Sequence, residues 1–192
     1  MGRMMRVVAV AMLVVPASVQ AQQGNQAQQG AGVGGEARVQ AALNAAVDAG
    51  IPVSLLESKV AEGRAKGVPM ERIAVAVETR LEALAKARTA MEQARLESTT
   101  AGDLSIAADA IQAGVSETAL VEISRRAPQE RRAVAVAVLA NLVALGHGSE
   151  HALGQVRVAL NRGPDALLNL QARTASELQA RGAAGVEVGK GA

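Results

Sequence analysis

The chain has 192 residues with 20 basic and 18 acidic side chains, and it contains no cysteine, phenylalanine, tyrosine or tryptophan. Without cysteine it forms no disulfide, no Cys-ligated zinc site and no thiolate nucleophile. Without phenylalanine, tyrosine and tryptophan rings it lacks the usual stacking platforms for bases or sugars, which argues against nucleic-acid binding.

The N-terminal segment has the layout of a secretory signal peptide. Arg3 and Arg6 precede an apolar run from Val7 to Val15, and Val19-Gln20-Ala21 places short residues before a cut after Ala21. An uncleaved membrane anchor is the alternative, but this run has about half the length that a bilayer span needs. Removal of residues 1–21 leaves 18 basic and 18 acidic residues, so the mature chain has no global field for nucleic acid or anionic membrane. We therefore predict a bacterial periplasmic or otherwise exported protein without a transmembrane segment after processing.

Glycine and glutamine dominate the segment that follows the predicted cleavage site. Residues 22–36 read Q-Q-G-N-Q-A-Q-Q-G-A-G-V-G-G-E, which offers little apolar surface to bury. We interpret this segment as a disordered linker rather than an interaction tract, and residues 182–192 as a flexible glycine-rich tail. A single helical domain is predicted over residues 37–181.

Eight segments of this domain show the apolar periodicity of amphipathic helices. The predicted helices cover residues 37–48, 53–66, 70–98, 103–113, 116–126, 128–145, 149–161 and 164–181. The sixth contains A-V-A-V-A-V, which also suits a β-strand, but its length and its two apolar faces favour a buried helix. Short turns between the segments predict an all-α fold of about eight helices in antiparallel hairpins or a small irregular helical array.

A glycine occupies the same place at five breaks between these helices. The breaks read A-G-I-P-V, K-G-V-P-M, A-G-V-S-E, L-G-H-G-S and R-G-P-D-A, with glycine at residues 50, 67, 114, 146 and 163. Glycine ends a helix in the left-handed conformation, and the proline or serine that follows starts the next helix. An anion cradle is the functional alternative, but no nucleotide-binding glycine motif is present. We interpret the breaks as an irregular repeat of helix corners.

Two stretches carry a resemblance to known proteins. They are K-V-A-E-G-R-A-K-G-V-P-M-E-R-I-A-V-A-V-E from Lys59 to Glu78 and V-A-V-L-A-N-L-V-A-L-G from Val136 to Gly146. Residues 40–175 resemble uncharacterised, exported, alanine-rich helical proteins of bacteria with repeated G-[IV]-P corners. The resemblance implies an exported all-helical protein and brings no assigned activity, cofactor or catalytic residue.

Both histidines of the chain lie in His147-Gly148-Ser149-Glu150-His151. This order fits H-x-x-E-H, in which two imidazoles bind zinc and the glutamate activates water. Gly146 and Gly148 place His147 in a turn, so the two imidazoles are not expected to share a helical face. Asp165, Glu177 and Glu187 are the carboxylates left to supply a third ligand. We favour surface or turn histidines and keep a metal-dependent hydrolase as the alternative function.

A second charged cluster consists of Arg125, Arg126, Arg131 and Arg132. Arginine near a helix C-terminus is favoured by the helix dipole, which accounts for the first pair. The second pair lies at the start of the next helix, where the dipole gives no such reason. The cluster could bind an acidic partner or lipid headgroups.

No residue pattern in the chain assigns a catalytic, cofactor-binding or metal-binding residue. We therefore expect a non-catalytic protein-interaction or structural module that binds another protein through an apolar face or groove between helices. A small ligand in the helical core is a further possibility.

Overall fold

A computed structural model describes residues 19–96 and 99–188, and the side chains of residues 34–96 and 99–181. The described residues form eight α-helices and no β-strand, which confirms the predicted all-α fold. The helices are α1 (Val19–Asp48), α2 (Ser54–Ala65), α3 (Met70–Gln93), α4 (Ala101–Gln112), α5 (Glu117–Arg126), α6 (Gln129–Ala144), α7 (Ser149–Arg162) and α8 (Pro164–Val188). The alternating valine segment is helical, as its length and two apolar faces predicted.

Some helix ends differ from the predicted ones. α1 begins at Val19 and shows no break at residue 37, where the predicted linker meets the predicted domain. α3 ends at Gln93, and α4 begins at Ala101 because Thr100 and Asp103 form a capping box. Residues 1–18 of the predicted signal peptide, and the last four residues of the predicted tail, lie outside the described residues.

The contact between α1 and α3 begins before residue 37. Gly35 is buried, and a Cβ added to it would lie 2.8 Å from the backbone nitrogen of Glu71 and 2.8 Å from the backbone carbon of Met70. Only a glycine allows the two backbones to approach this closely. The packed part of the chain therefore includes Gly35, two residues before the predicted start of the domain.

Five helices form a continuous row of neighbours in the order α1, α3, α4, α6 and α8. The other three lie against this row: α2 packs on α3, α5 packs on α3 and α6, and α7 packs on α6 and α8. This arrangement is the small irregular helical array that the short turns predicted.

Small side chains dominate the buried core. Alanine is its commonest residue, and the largest fully buried side chains are those of leucine, isoleucine and valine. Each alanine buries little apolar area, so helices must approach closely to exclude water. Ala74, Ala87, Ala107 and Ala108 are completely buried and lie in α3 and α4.

The five corner glycines all have positive φ, between 62° and 112°. The amide of Gly67 donates to the carbonyl of Arg64 at 3.0 Å, and the amide of Val68 donates to the carbonyl of Gly63 at 3.0 Å. These two bonds are the Schellman motif, and the same pair of bonds occurs at Gly50, Gly114 and Gly146. Gly163 donates to the carbonyl of Leu160 and forms a different corner with φ 112° and ψ 177°.

Candidate functional site

The two histidines of the H-x-x-E-H segment lie beside each other but on different elements. His147 occupies the corner after α6, where its amide donates to the carbonyl of Leu142 at 3.1 Å. His151 is exposed in the first turn of α7, and the two rings stack with their centroids 5.7 Å apart. His147 thus takes the corner position that Ile51, Val68 and Val115 hold at the other Schellman corners.

The carboxylates considered as third ligands do not complete a metal site in the described part of the chain. Glu177 pairs with Arg181, whose Nη2 lies 2.9 Å from its Oε1. Glu187 belongs to α8, but its side chain is not among those described. Within residues 34–96 and 99–181, no group of three or more histidine, aspartate or glutamate side chains is arranged to hold a metal ion. The hydrolase alternative therefore lacks a third ligand there.

The arginine cluster at the α5–α6 corner divides into two pairs. Arg126 pairs with Glu122 at 3.1 Å, and Arg131 lies 3.7 Å from Glu130. Arg125 and Arg132 instead bond to backbone carbonyls: Nη2 of Arg125 to Gln93 at 2.8 Å, and Nε of Arg132 to Ser124 at 3.2 Å. Carboxylates therefore neutralise Arg126 and Arg131, whereas Arg125 and Arg132 stabilise helix ends and have no carboxylate partner among the described residues.

Arg125 and Arg132 line a cavity of about 280 Å³ together with Arg95. The rest of the lining consists of Ala94, Leu96, Ser124 and Gln129. We call this cavity the arginine pocket. No local signal in the sequence connects Arg95 with residues about thirty positions later. The packing of α5 and α6 beside the end of α3 brings the three guanidiniums together.

A larger groove runs between α7 and α8, with a volume of about 760 Å³. Its apolar lining includes Val158, Ala159, Ala166 and Leu170, and Val158 is 49% exposed. Polar and charged side chains surround this lining: Glu150, His151, Gln155, Arg162, Asn169 and Arg173. We call it the α7–α8 groove.

Gly154 lies in the interior of α7 and lines this groove. A Cβ at Gly154 would meet no atom within 4 Å, in contrast to Gly63 of α2, where a Cβ would lie 2.7 Å from the side chain of Ile73. A glycine in a helix interior lowers the stability of the helix by about 0.5–1 kcal/mol relative to alanine, so it is usually found where a close contact leaves no room for a Cβ. Within the described structure Gly154 has no such close contact. Sequence reasoning missed it, although an isolated glycine within a helical pattern is a visible signal.

A second groove, of about 780 Å³, lies between α1 and α2. Val39, Leu43, Val60 and Met70 supply its apolar lining. Its charged lining is mixed: Glu36, Glu57 and Arg64. The helical glycines near this end of the chain, Gly35 and Gly63, are both explained by contact with α3.

Beside that groove an ion-pair cluster joins α1 to α3. Nε of Arg38 donates to Glu78 at 2.9 Å, and Nη1 donates to Glu71 at 3.1 Å. The hydrogen bond to Glu78 raises the pKa of Arg38 above its ordinary value, and the same bond lowers the pKa of Glu78. All three side chains stay accessible to water, which indicates surface ion pairs that connect two helices rather than a buried reactive centre.

Comparison with known proteins adds no relative. No protein-family model matches the chain, and neither the curated proteins nor the solved structures searched contain a significant match. The resemblance to exported alanine-rich proteins therefore stays a prediction. None of the helices in the described ranges combines the length and hydropathy needed to span a bilayer.

Proposed function

We propose that this protein is a non-catalytic interaction module that acts after export to the periplasm and binds an α-helix of another protein in the α7–α8 groove. The export part of the proposal depends on the signal-peptide layout of residues 1–21. The binding part depends on the groove and on the glycine within it.

Gly154 is the observation that carries the proposal. It weakens α7 without allowing any contact inside the described structure, and it lies on the exposed side of the groove-lining face. A missing side chain lets the backbone of a second helix approach closely, which is how small residues act at helix–helix contacts. The partially exposed Val158, one turn further along α7, supplies apolar area next to this position.

The charges around the groove indicate which partner surface would fit. Arg162 and Arg173 line one part of it, and neither forms an ion pair with a described residue. Glu150 lies at the other end of α7. A partner helix with an apolar face and carboxylates near Arg162 and Arg173 would complement this pattern. Such rim charges contribute mainly to orientation and association rate.

The experiment compares substitutions at Gly154 with photo-crosslinking at two exposed valines. A photo-reactive amino acid is placed at Val158 in the groove or, as a matched control, at the similarly exposed Val75 of α3. We expect one exported protein to crosslink at position 158 and not at position 75. Gly154→Leu should abolish that crosslink because its side chain fills the space where the partner backbone lies.

Gly154→Ala separates binding from folding. Alanine should raise the free energy of unfolding by about 0.5–1 kcal/mol because it favours the helix and meets no atom. The same variant should weaken the crosslink at position 158. Retention of the full crosslink in both Gly154→Ala and Gly154→Leu would refute the groove as the binding surface.

A further inference from the structure

We propose that the arginine pocket binds a phosphate-sized dianion, either inorganic phosphate or the phosphate group of a small soluble phosphomonoester. The described lining residues of this site differ from those of the α7–α8 groove, and the site does not depend on the proposed partner.

Among the described residues, the lining of the pocket carries three positive charges and no carboxylate. Arg125 and Arg132 use one nitrogen each to bond the carbonyls of Gln93 and Ser124, and Arg95 has no hydrogen bond or ion pair among the described side chains. A guanidinium carries five N–H donors, so most donors of the three arginines stay free for a ligand. Three like charges around one cavity repel one another, and an anion between them would remove that repulsion.

Ser124 gives a second, independent observation at the same place. It lines the pocket, it is 1% exposed, and its Oγ is buried without a hydrogen-bond partner. It is the one such side-chain atom identified within residues 34–96 and 99–181. Leaving a buried hydroxyl without a partner is unfavourable, and rotation of the Ser124 side chain towards an oxyanion in the pocket would supply an acceptor.

The backbone around the pocket also favours an anion. α6 begins beside it, with Gln129 of its first turn in the lining and Pro128 at the N-cap, which supplies no side-chain cap. The positive end of the helix dipole therefore lies near the cavity. Glu130 is also in this first turn, but it lies outside the lining and next to Arg131.

The size and charge of the pocket select the class of anion. A volume of about 280 Å³ accommodates a small group rather than a nucleotide or a peptide. Guanidinium forks bond oxyanions in pairs, and a tetrahedral dianion presents enough oxygens for three of them. A single carboxylate would leave two of the three positive charges without a counter-charge.

The test titrates inorganic phosphate into the full-length protein by isothermal calorimetry. The solution is held at constant ionic strength and mildly alkaline pH, where phosphate is mainly the dianion. We expect saturable binding of one phosphate per chain. Arg95→Gln and Arg132→Gln should each weaken it about tenfold or more, because each removes a charge-assisted contact. Arg64→Gln is the matched control, since Arg64 is exposed and lines a groove that contains two glutamates.

Arg95→Gln reports on binding without damage to the fold, because the Arg95 side chain makes no hydrogen bond or ion pair within residues 34–96 and 99–181, and the backbone bond of its amide to the Glu92 carbonyl is kept. Arg95→Gly is a second test, since Arg95 has φ 54°, a conformation that glycine adopts without strain. Both variants should keep the wild-type melting temperature or exceed it in phosphate-free buffer while losing affinity for phosphate. Absence of saturable binding to the wild type, undiminished affinity in both Arg95 variants, or an equal loss in Arg64→Gln would overturn the proposal.

Discussion

Arg80 is a buried charge between α3 and α4, and its environment predicts an unequal response to substitution. Nη1 lies 2.5 Å from Asp109 and 3.1 Å from Gln112, and Nη2 lies 2.9 Å from the hydroxyl of Ser105. The Arg80 side chain is 9% exposed, whereas that of Asp109 is 63% exposed. The two members of this ion pair therefore differ in how readily water can replace the partner.

Asp109→Ala should destabilise the protein by about 1–2 kcal/mol. Breaking a fully buried ion pair costs about 3–5 kcal/mol, because a charge stays behind without its partner. Here the carboxylate is largely exposed and the guanidinium keeps its bonds to Gln112 and Ser105, which reduces the cost. Alanine also has a higher helix propensity than aspartate, which offsets about 0.5 kcal/mol of the loss.

Arg80→Met should cost only about 0–1 kcal/mol. The substitution removes the buried charge, fills most of the same volume, and leaves Asp109 to water. Adding Asp109→Ala to Arg80→Met should then cause little further loss, because the charge that needed the carboxylate is gone. This non-additivity distinguishes an unpaired buried charge from two independent contacts.

Urea unfolding followed by far-ultraviolet circular dichroism measures these differences, since the chain has no tryptophan or tyrosine for fluorescence. Asp109→Ala should have a lower free energy of unfolding than Arg80→Met. A larger loss for Arg80→Met by about 1 kcal/mol or more would refute it. That result would mean that the packing and neutral hydrogen bonds of Arg80 outweigh its unpaired charge.

The same unfolding assay checks three further predictions. Gly67→Val should lower the free energy of unfolding by about 1 kcal/mol or more, through the left-handed φ of 65° alone. Gly35→Ala should lower it further, because its Cβ would collide with the backbone of α3, and equal losses for the two variants would contradict this. Ser124→Ala should raise the free energy of unfolding by about 1 kcal/mol in phosphate-free buffer, and a loss would show that the hydroxyl has a partner. Two neighbouring lysines lower the pKa of Glu62 from 4.5 to about 2, so its stabilising contribution is complete above pH 4.5 and is lost as the pH falls towards 2. Glu62→Gln should therefore lose less stability on acidification than Glu57→Gln, the control on the same helix, and identical losses would exclude this linkage.

The corners between helices could be predicted because their cause is local. A residue that ends a helix in the left-handed conformation is disfavoured by its own Cβ, and glycine at residues 50, 67, 114, 146 and 163 avoids this. The start of α4 was placed two residues late for a local reason as well. The Thr100 hydroxyl oxygen accepts from the amide of Asp103, and the Asp103 carboxylate accepts from the amide of Thr100, so the helix begins between them.

The arginine pocket could not be predicted from the sequence, because its three arginines are not neighbours in sequence. The sequence divides the four arginines of the α5–α6 corner by helix end, but in the structure Arg126 and Arg131 lie beside carboxylates of the same corner. Arg125 and Arg132 join Arg95, which packing alone brings beside them. Arg80 carried a sequence signal that was overlooked, since it lies on the apolar face of α3 that includes Val77 and Leu84.

Two residues of the described chain break a rule that their surroundings otherwise follow. Five corners use glycine for a positive φ, yet the end of α3 uses Arg95 with φ 54°. Exposed helix positions favour side chains that support the helix, yet Gly154 occupies one with open space around it. Folding stability alone would favour glycine at the first position and alanine at the second. Arg95 lines the arginine pocket and Gly154 lines the α7–α8 groove. Residues that reduce stability are retained at binding surfaces when the ligand needs them. The variant that carries both Arg95→Gly and Gly154→Ala should therefore be more stable than the wild type while it binds neither phosphate nor the partner helix as tightly.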